Sequence, residues 1–363
     1  MKVKPPLTAC CDDARPRPMT SMAASPAEAL RAVLAATPPT SSASAQLRLL
    51  VQQGLDRLPL PGRGATRVRW QALAVVAEHD LSLAKLYEGH TDALAILAEL
   101  GVPDEARSDD TWGVWASEGR DGRVVLEPQS SHTVTLQGTK HWCSGASQLS
   151  HGLLTAWHRD GAGPQLVAVA MEQPAVAVDA SSWQAVGMAG SASVDVSFNG
   201  ALARTVGDVG AYLARPGFWQ GGAGIAACWL GGATAIATAL HRQLLASTPA
   251  GRSAFQLAAL GRIDLHLEST GALLREAAQW IDRYPVADAS AMALRVRLAA
   301  EAAARHVLDE AGRALGATPF CRDAQFARMA ADLPVFVRQS HAERDFVALG
   351  ERLLDPAQSR WKL

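Results

Sequence analysis

The period of the hydrophobic pattern changes twice along the chain. Over residues 67–100 apolar residues recur at three- and four-residue steps, as in a helix, and Gly101-Val-Pro103 ends that pattern. Between residues 111 and 198 the period is two, in short apolar runs separated by Gly, Asp, Ser and Pro. After Gly200 the helical pattern returns. We therefore predict an α+β fold: N-terminal helices, a central antiparallel β-barrel or sandwich, and a C-terminal four-helix bundle.

These changes of period also predict the domain boundaries. Residues 1–61, rich in Pro, Ser, Thr and Ala, are interpreted as a loose leader with one helix at Pro26–Ala36. Residues 62–103 form the N-terminal helical domain, 104–200 the β-domain and 201–363 the C-terminal bundle. Within the bundle, helical patterns occupy about residues 217–245, 253–283, 287–315 and 323–354.

Composition narrows the class of protein. The 363 residues are 48% hydrophobic and 19% charged with a net charge of -1, which fits a globular protein and gives no reason to expect a nucleic-acid partner. The five cysteines match neither a disulfide framework nor a metal site. They are Cys10, Cys11, Cys143, Cys228 and Cys321. We expect a cytoplasmic protein without a bound metal, and the N-terminus has no continuous apolar core of a secretory signal.

Residues 216–240 contain no charged side chain, and this length is sufficient to cross a bilayer. Six glycines and several Ala and Thr make the segment only mildly hydrophobic. Small side chains suit a helix that is packed on all sides. A buried bundle helix is therefore favoured over a membrane span.

Two motifs flank the strand-like stretches of the central region. They read Gly138-Thr-Lys-His-Trp-Cys-Ser-Gly145 and Gly187-Met-Ala-Gly-Ser-Ala-Ser193. Together they resemble the central β-domain of the acyl-CoA dehydrogenase family, in which the Gly-x-Lys-x-Trp segment lies along the flavin of FAD. The resemblance covers about residues 67–354 and implies the same order of domains.

The resemblance also implies a cofactor site for FAD between the β-domain and the bundle. Trp142 matches the tryptophan that covers the flavin, Cys143 follows it, and Ser144 matches a hydroxyl residue near the reactive flavin nitrogen. Trp115 and Ser117 lie in a segment that resembles the first flavin-binding strand. The alternative for Trp142 is a core aromatic residue of a sheet.

Three segments depart from the family pattern around the cofactor. Gly119-Arg-Asp-Gly122 replaces a longer loop and lacks the serine expected at the cofactor pyrophosphate. Arg252 stands out of register with the arginine that reaches the FAD of a neighbouring subunit. Glu310 stands where a glutamine is usual in the segment at the adenosine half.

The catalytic base is the most important departure. Dehydrogenation beside a thioester requires a carboxylate that removes the alpha proton. The family spacing from Arg322-Asp-Ala324 reaches Ala331, so the adjacent Asp332 is the candidate base. The family's alternative location, around Gln220 and Gly221, has no carboxylate. Pro334 is expected to bend the backbone close to Asp332.

Two histidines are further candidates. His341 and Asp345 share a helical face at i, i+4, for which a solvated face with an ion pair is the favoured interpretation. Glu88-Gly-His90 lies in the N-terminal helical region. Flavin monooxygenases of the same fold use a histidine from that domain, whereas a single histidine on a helix is usually structural.

Three functions remain open. The first is an acyl-CoA dehydrogenase-like, FAD-dependent oxidoreductase that oxidises a CH–CH bond of an acyl thioester with Asp332 as base. The second is a flavin-dependent monooxygenase of the same fold, which needs no such base. The third is a non-catalytic member that acts as a binding or assembly subunit. In each case we expect a homodimer or homotetramer formed through the apolar bundle.

Overall fold

The computed structural model describes residues 25–38, 40–118 and 123–354. Four helices form the N-terminal layer: α1 (Pro26–Ala36), α2 (Ala43–Gln52), α3 (Thr66–His79) and α4 (Leu81–Glu99). Polar side chains begin three of them. Ser25 forms a capping box with Glu28, while Ser42 and Asp80 accept backbone N–H groups at the starts of α2 and α4.

The interpretation of residues 1–61 as a loose leader is wrong for the described part of that segment. Helix α1 lies at the predicted residues, but α2 was not predicted. Both helices bury leucines in the main core and pack on α3 and α4: Leu30, Leu34, Leu47 and Leu50. Within the described part, Ser25, Pro26 and Ser42 lie at the starts of these two helices. Residues 1–24 lie outside the described residues.

Seven strands form the central domain: β1 (Trp112–Trp115), β2 (Val125–Pro128), β3 (Thr133–Ser144), β4 (His151–His158), β5 (Pro164–Ala170), β6 (Val176–Asp179) and β7 (Ser193–Val206). Hydrogen bonding runs β4-β2-β3-β7-β5 and returns from β5 to β4, which closes a barrel. Strand β1 pairs with β4, and β6 pairs with β7.

The barrel confirms the α+β prediction with one difference in pairing. Most pairs are antiparallel, but β1 and β2 both run parallel to β4, at its first and its last residues respectively. Long connections permit these parallel pairs, and the alternating pattern of a strand does not reveal its partner. Strand β7 continues to Val206, beyond the predicted boundary at residue 200.

The C-terminal region is helical, as predicted. It contains α5 (Ala211–Ala214), α6 (Gly217–Gly222), α7 (Ile225–Ala246), α8 (Ala254–Arg283), α9 (Ser290–Leu315), α10 (Ala317–Arg322), α11 (Ala324–Phe336) and α12 (Glu343–Leu353). The fourth predicted helix is thus divided into α11 and α12. Ala342, with a φ of 48°, lies at the break.

Helix α7 lies in the centre of the core. Gly231 allows its close approach to α3, since a Cβ there would lie 2.3 Å from the carbonyl oxygen of Ala74. Among the described helices, the stretch Gly217–Ala246 is long and apolar enough to cross a membrane, yet 72% of its most apolar window is buried inside the protein. This burial favours the predicted bundle helix.

Candidate functional site

Trp142 projects from a bulge in the barrel. The pairing of β3 with β7 shifts between Lys140 and Cys143, so His141 and Trp142 leave the regular ladder. Trp142 has a φ of 63°, an unfavourable backbone conformation for a bulky residue, and its side chain is 58% exposed. Strained residues of this kind cluster at functional sites. The core alternative for this tryptophan therefore does not hold, since the indole faces outward.

Ser144 lies at the end of β3, two residues beyond the bulge. Its hydroxyl is 2.7 Å from the hydroxyl of Ser193, the first residue of β7. The indole N–H of Trp115 donates to the carbonyl oxygen of Ser144 over 3.1 Å. The two motifs that the sequence singled out thus meet at this pair of serines.

Trp115 and Cys143 are buried, unlike Trp142. The Trp115 indole is 2% exposed and fills the space over Gly113 and Gly152, where a Cβ would lie 2.7 and 2.2 Å from it. The thiol of Cys143 faces the core, contacts the carbonyl oxygen of Lys140, and has its pKa raised by burial. Both side chains face the core, so neither lies on the surface that carries Trp142.

Lys140 has a role that sequence reasoning did not assign. Its buried ammonium donates to Glu118 Oε1 over 2.8 Å and to the hydroxyl and carbonyl oxygens of Thr155 over 2.8 and 3.2 Å. Burial lowers the pKa of this amine. The Lys140–Glu118 pair joins the segment after β1 to β3. Ser117, which is exposed, precedes Glu118 directly and is thereby held close to β3.

The Gly187–Ser193 turn packs directly against helix α11. A Cβ on Gly187 would lie 2.2 Å from the carbonyl oxygen of Ala331, so this position has room only for glycine. Met188 follows with a φ of 59° and donates its backbone N–H to Asp332 Oδ1 over 2.5 Å. The barrel and the C-terminal helices are therefore joined at this turn.

Asp332, the candidate base, is used in that contact. Its side chain is buried, and its Oδ2 has no hydrogen-bond partner among the described residues. Burial raises the pKa of this carboxyl to about 6, against the lowering effect of the Met188 N–H. Helix α11 includes Pro334 and runs through to Phe336, so the proline does not end the helix next to Asp332. Asp332 therefore links helix α11 to the turn of the barrel at Met188.

The two candidate histidines are engaged within the protein. His90 is buried, with Nε2 3.2 Å from Asp56 Oδ2, and its Nδ1 accepts the backbone N–H of Trp112 over 3.2 Å. His341 is exposed, with Nδ1 3.3 Å from Asp345 Oδ1. The first contact is structural, and the second is the solvated helical pair that the spacing favoured.

Helix α4 carries a set of charged residues of which the sequence analysis named only Glu88. Lys85, Glu88 and Asp92 lie on one face of α4, and the side chain of each is at most 17% exposed. Their i, i+3 and i+7 spacing is the signal that would have revealed them. On an adjacent face of α4, Leu86 packs on Gly145 beside Ser144. The charged face therefore borders the end of the barrel that carries the predicted site.

Asp92 is the unusual member of this set. Lys85 pairs with Glu88 over 3.1 Å, and the neighbouring Arg215 pairs with Glu99 over 2.8 Å. Asp92 accepts no hydrogen bond from any described residue, and Arg69 is 4.0 Å away. Burial raises the pKa of its carboxyl, and the nearby cation of Arg215 opposes that shift.

The Asp92 carboxylate also lies against the start of the helical bundle. Its Oδ1 would be 2.7 Å from a Cβ on Gly221, the residue at which the family's alternative base position falls. A carboxylate thus reaches that place from α4, although α6 itself has none. Gln220 beside it is buried and donates to the carbonyl oxygen of Pro285 over 2.7 Å.

Two residues that depart from the family pattern bind to other residues of this chain. Glu310 on α9 forms an ion pair with Arg262 on α8 over 2.7 Å. Arg252 donates from Nε to the carbonyl oxygen of Leu244 and so caps the end of α7. The Gly119–Gly122 loop lies outside the described residues.

No protein-family profile matches this chain, and no curated protein sequence matches it. Several solved structures are similar to this chain in three dimensions. Dibenzothiophene monooxygenase TdsC from Paenibacillus sp. A11-2 is 20% identical with a TM-score of 0.73, over 91% of this chain and 95% of that one. Glutaryl-CoA dehydrogenase from Mycobacterium smegmatis is 17% identical with a TM-score of 0.75, over 91% and 93%. Nitrososynthase from Micromonospora carbonacea var. africana is 17% identical with a TM-score of 0.75, over 91% and 94%. At this identity the similarity shows a shared fold.

Proposed function

Because this chain has the acyl-CoA dehydrogenase fold, we propose that it is a flavin-dependent oxidoreductase whose ring site is formed by Ser117, Trp142 and Ser144. The observation that carries this proposal is the bulge that turns a strained Trp142 outward beside the Ser144–Ser193 hydroxyl pair. TdsC, which has a similar fold, was solved with FMN and indole.

The described residues fit a flavin ring. An isoalloxazine needs a flat apolar face and hydrogen-bond donors along the edge where negative charge accumulates on reduction. The exposed indole of Trp142 supplies the face, and the hydroxyls of Ser117 and Ser144 supply donors. Among the described residues, no acceptor faces the backbone N–H of Ser117. A bound flavin supplies hydride acceptance or, once reduced, activation of oxygen.

Internal contacts favour FMN over the FAD that the sequence predicted. Glu310, in the segment expected at the adenosine half, is paired with Arg262, and Arg252, near the arginine expected to reach a neighbouring subunit's FAD, is bound to the end of α7. A carboxylate close to the phosphates of FAD is unfavourable, and this one is already paired with Arg262. FMN, which lacks the adenosine half, needs neither residue.

For the reaction, we favour oxygenation over a dehydrogenation that uses Asp332. The Asp332 carboxylate is held by the Met188 N–H in the interdomain contact. A monooxygenase needs no carboxylate base at that position. Asp92 beside Gly221 supports dehydrogenation as a second candidate, because a desolvated carboxylate without hydrogen bonds has the character of a general base.

The charged face of α4 also bears on the substrate. Lys85, Glu88, Asp92 and Arg215 would oppose the burial of a long acyl chain, since a methylene chain cannot hydrogen-bond to them. A small polar substrate therefore fits this chain better than a fatty acyl thioester. We also propose that the protein is cytoplasmic and that it forms a homo-oligomer. The exposed Phe255 and Leu265 on α8 support the homo-oligomer.

Cofactor analysis is the first test. The purified protein should carry flavin near one equivalent, and chromatography after denaturation should identify it as FMN. A colourless protein that takes up neither FMN nor FAD would leave only the non-catalytic function. FAD in the extract would refute the cofactor choice without affecting the ring site.

The reaction is tested next. Anaerobic addition of an acyl-CoA should leave the flavin absorbance unchanged. In a second assay with oxygen present, reduced flavin should be consumed faster when a true substrate is added. Bleaching by acyl-CoA without oxygen would select dehydrogenation. Loss of that bleaching in Asp92→Asn but not in Asp332→Asn would then identify Asp92 as the base.

A further inference from the structure

A cavity of about 340 Å³ lies where the segment between α4 and β1 meets the barrel. That segment contributes one wall, and the first residue of β4 and a residue of β7 contribute the others. Five described side chains line the cavity, and all of them are charged or polar: Glu105, Arg107, Asp110, His151 and Arg204. The three residues of the proposed ring site are not among them, so this cavity is a separate feature of the molecule.

The two carboxylates of this cavity already have partners. Glu105 Oε1 is 3.1 Å from Arg204 Nε, and Asp110 Oδ2 accepts the backbone N–H of Arg107 over 3.0 Å. Asp110 Oδ1 is 3.6 Å from His151 Nδ1. The side chains of Glu105 and Asp110 are only 23% and 15% exposed. The negative charges therefore lie in the wall of the cavity, where neighbouring groups offset them.

His151 forms a fixed and uncharged part of the wall. Its ring stacks on Trp112, with 4.6 Å between the ring centroids and 22° between the planes. Its Nδ1 is 2.9 Å from Ser150 Oγ. Burial lowers the pKa of the imidazole, Asp110 opposes that shift, and the Arg107 guanidinium adds to it. The ring is therefore neutral at pH 7.5, and the effect of Arg107 shows that its guanidinium lies close to the ring.

The two arginines supply the accessible charge of the cavity. The side chain of Arg204 is 60% exposed, and only its Nε lies against Glu105. Arg107 is exposed, and none of the carboxylates whose side chains the structure describes pairs with it. Each guanidinium therefore keeps N–H donors for a ligand. Because the arginines come from two separate segments of the chain, an anion in the cavity can accept from both.

We propose that this cavity binds a small hydrophilic phosphate monoester, such as a sugar phosphate. The phosphate oxygens accept N–H groups of Arg107 and the terminal N–H groups of Arg204, and a phosphate has more oxygens to share between two guanidiniums than a carboxylate has. A cavity of about 150 Å³ holds a benzene-sized molecule, so this larger one has room for a sugar beside the phosphate. The polar wall suits hydroxyl groups and does not suit an acyl chain.

The experiment compares three probes of similar size at pH 7.5 and equal ionic strength: glucose 6-phosphate, glucuronate and glucose. Binding to the purified full-length protein is measured by isothermal titration calorimetry. We expect glucose 6-phosphate to bind at least about tenfold more tightly than glucuronate, because the dianion makes more charge-assisted hydrogen bonds. We expect no binding of glucose. Equal affinity for the phosphate and the carboxylate, or no binding of glucose 6-phosphate, would overturn the proposal.

Two variants locate the site. Arg107→Gln and Arg204→Gln should each lower the affinity for glucose 6-phosphate by about tenfold or more, because each removes one set of charged donors. Both side chains are exposed, so the variants should fold as the wild type does. Arg242→Gln, at an exposed arginine on α7 that does not line the cavity, is the matched control and should keep wild-type affinity. Unchanged affinity in either Arg107→Gln or Arg204→Gln would show that the phosphate binds elsewhere and would overturn the proposal.

Discussion

Asp332 accepts a hydrogen bond of 2.5 Å from the backbone N–H of Met188, and this contact joins the strained turn of the barrel to helix α11. The side chain that the family spacing nominated as a catalytic base is thus a structural link between two domains. Its buried position raises its pKa, which gives the link a pH dependence that can be measured.

The first prediction concerns the pH dependence of stability at Asp332. The pKa of this carboxyl rises from 3.8 to about 6 on folding, so the folded state binds the proton more tightly than the unfolded chain does. The contribution of Asp332 to stability is therefore greatest below about pH 4 and is lost as the pH rises through 6. Asp332→Asn, which keeps an acceptor for Met188, should gain stability relative to wild type over that interval.

Denaturant unfolding at pH 4.5 and at pH 7.5 measures this difference. Asp109→Asn is the control for removing an exposed carboxylate. Asp332→Ala should be destabilised by about 1–3 kcal/mol at both pH values, because it leaves the buried N–H unpaired. If the difference between wild type and Asp332→Asn is the same at both values, Asp332 does not titrate in this way.

The second prediction concerns Trp142. Trp142→Ala should lower flavin affinity by about 3–10-fold, the effect of losing one aromatic stacking contact. The stability of the apoprotein should change little, since the side chain is exposed. Phe346→Ala, at an aromatic residue that is 53% exposed on α12, is the matched control and should retain its flavin. Flavin titration with fluorescence detection distinguishes the two variants.

The third prediction concerns the ion pair between the buried Lys140 and the partly exposed Glu118. Lys140→Met should destabilise the protein by about 1–3 kcal/mol, because Glu118 and Thr155 lose a buried hydrogen-bond donor. Flavin affinity should fall as well, since Ser117 is no longer held beside β3. A double-mutant cycle with Glu118→Gln should give a coupling energy between the two residues. Additive effects would show that the pair does not act as a unit.

Asp92 gives the fourth prediction. Because its carboxylate is largely buried and accepts no hydrogen bond from any described residue, Asp92→Asn should raise the free energy of unfolding at pH 8, by about 0.5–2 kcal/mol. If Asp92 serves the reaction, turnover should fall in the same variant while flavin content stays unchanged. Reduced stability would instead identify a structural partner of Arg69.

The fifth prediction is self-association. Phe255 and Leu265 on α8 are 86% and 67% exposed, which is unusual for large apolar side chains on one helix. Light scattering at micromolar concentration should give the mass of a dimer or tetramer. Phe255→Asp with Leu265→Asp should lower that mass. A monomeric wild-type protein would contradict the prediction.

The sequence by itself determined the architecture. The change of hydrophobic period reports which face of each element is buried, and so it predicted the central barrel between two helical regions. The two motifs likewise located the strand ends that meet at Ser144 and Ser193. Both features are local, because each depends on residues that are close together in the chain.

Only the tertiary structure decided what the individual side chains do. The sequence does not distinguish the environments of Trp115 and Trp142, since both lie in strand-like segments. A bulge against β7 exposes Trp142, whereas Gly113 and Gly152 make room to bury Trp115. Asp332 was selected by spacing along the chain, yet its partner Met188 is 144 residues away. The role considered for Asp92 depends on its position against Gly221, which lies on another helix. Such roles depend on burial and on distant partners, which periodicity does not encode.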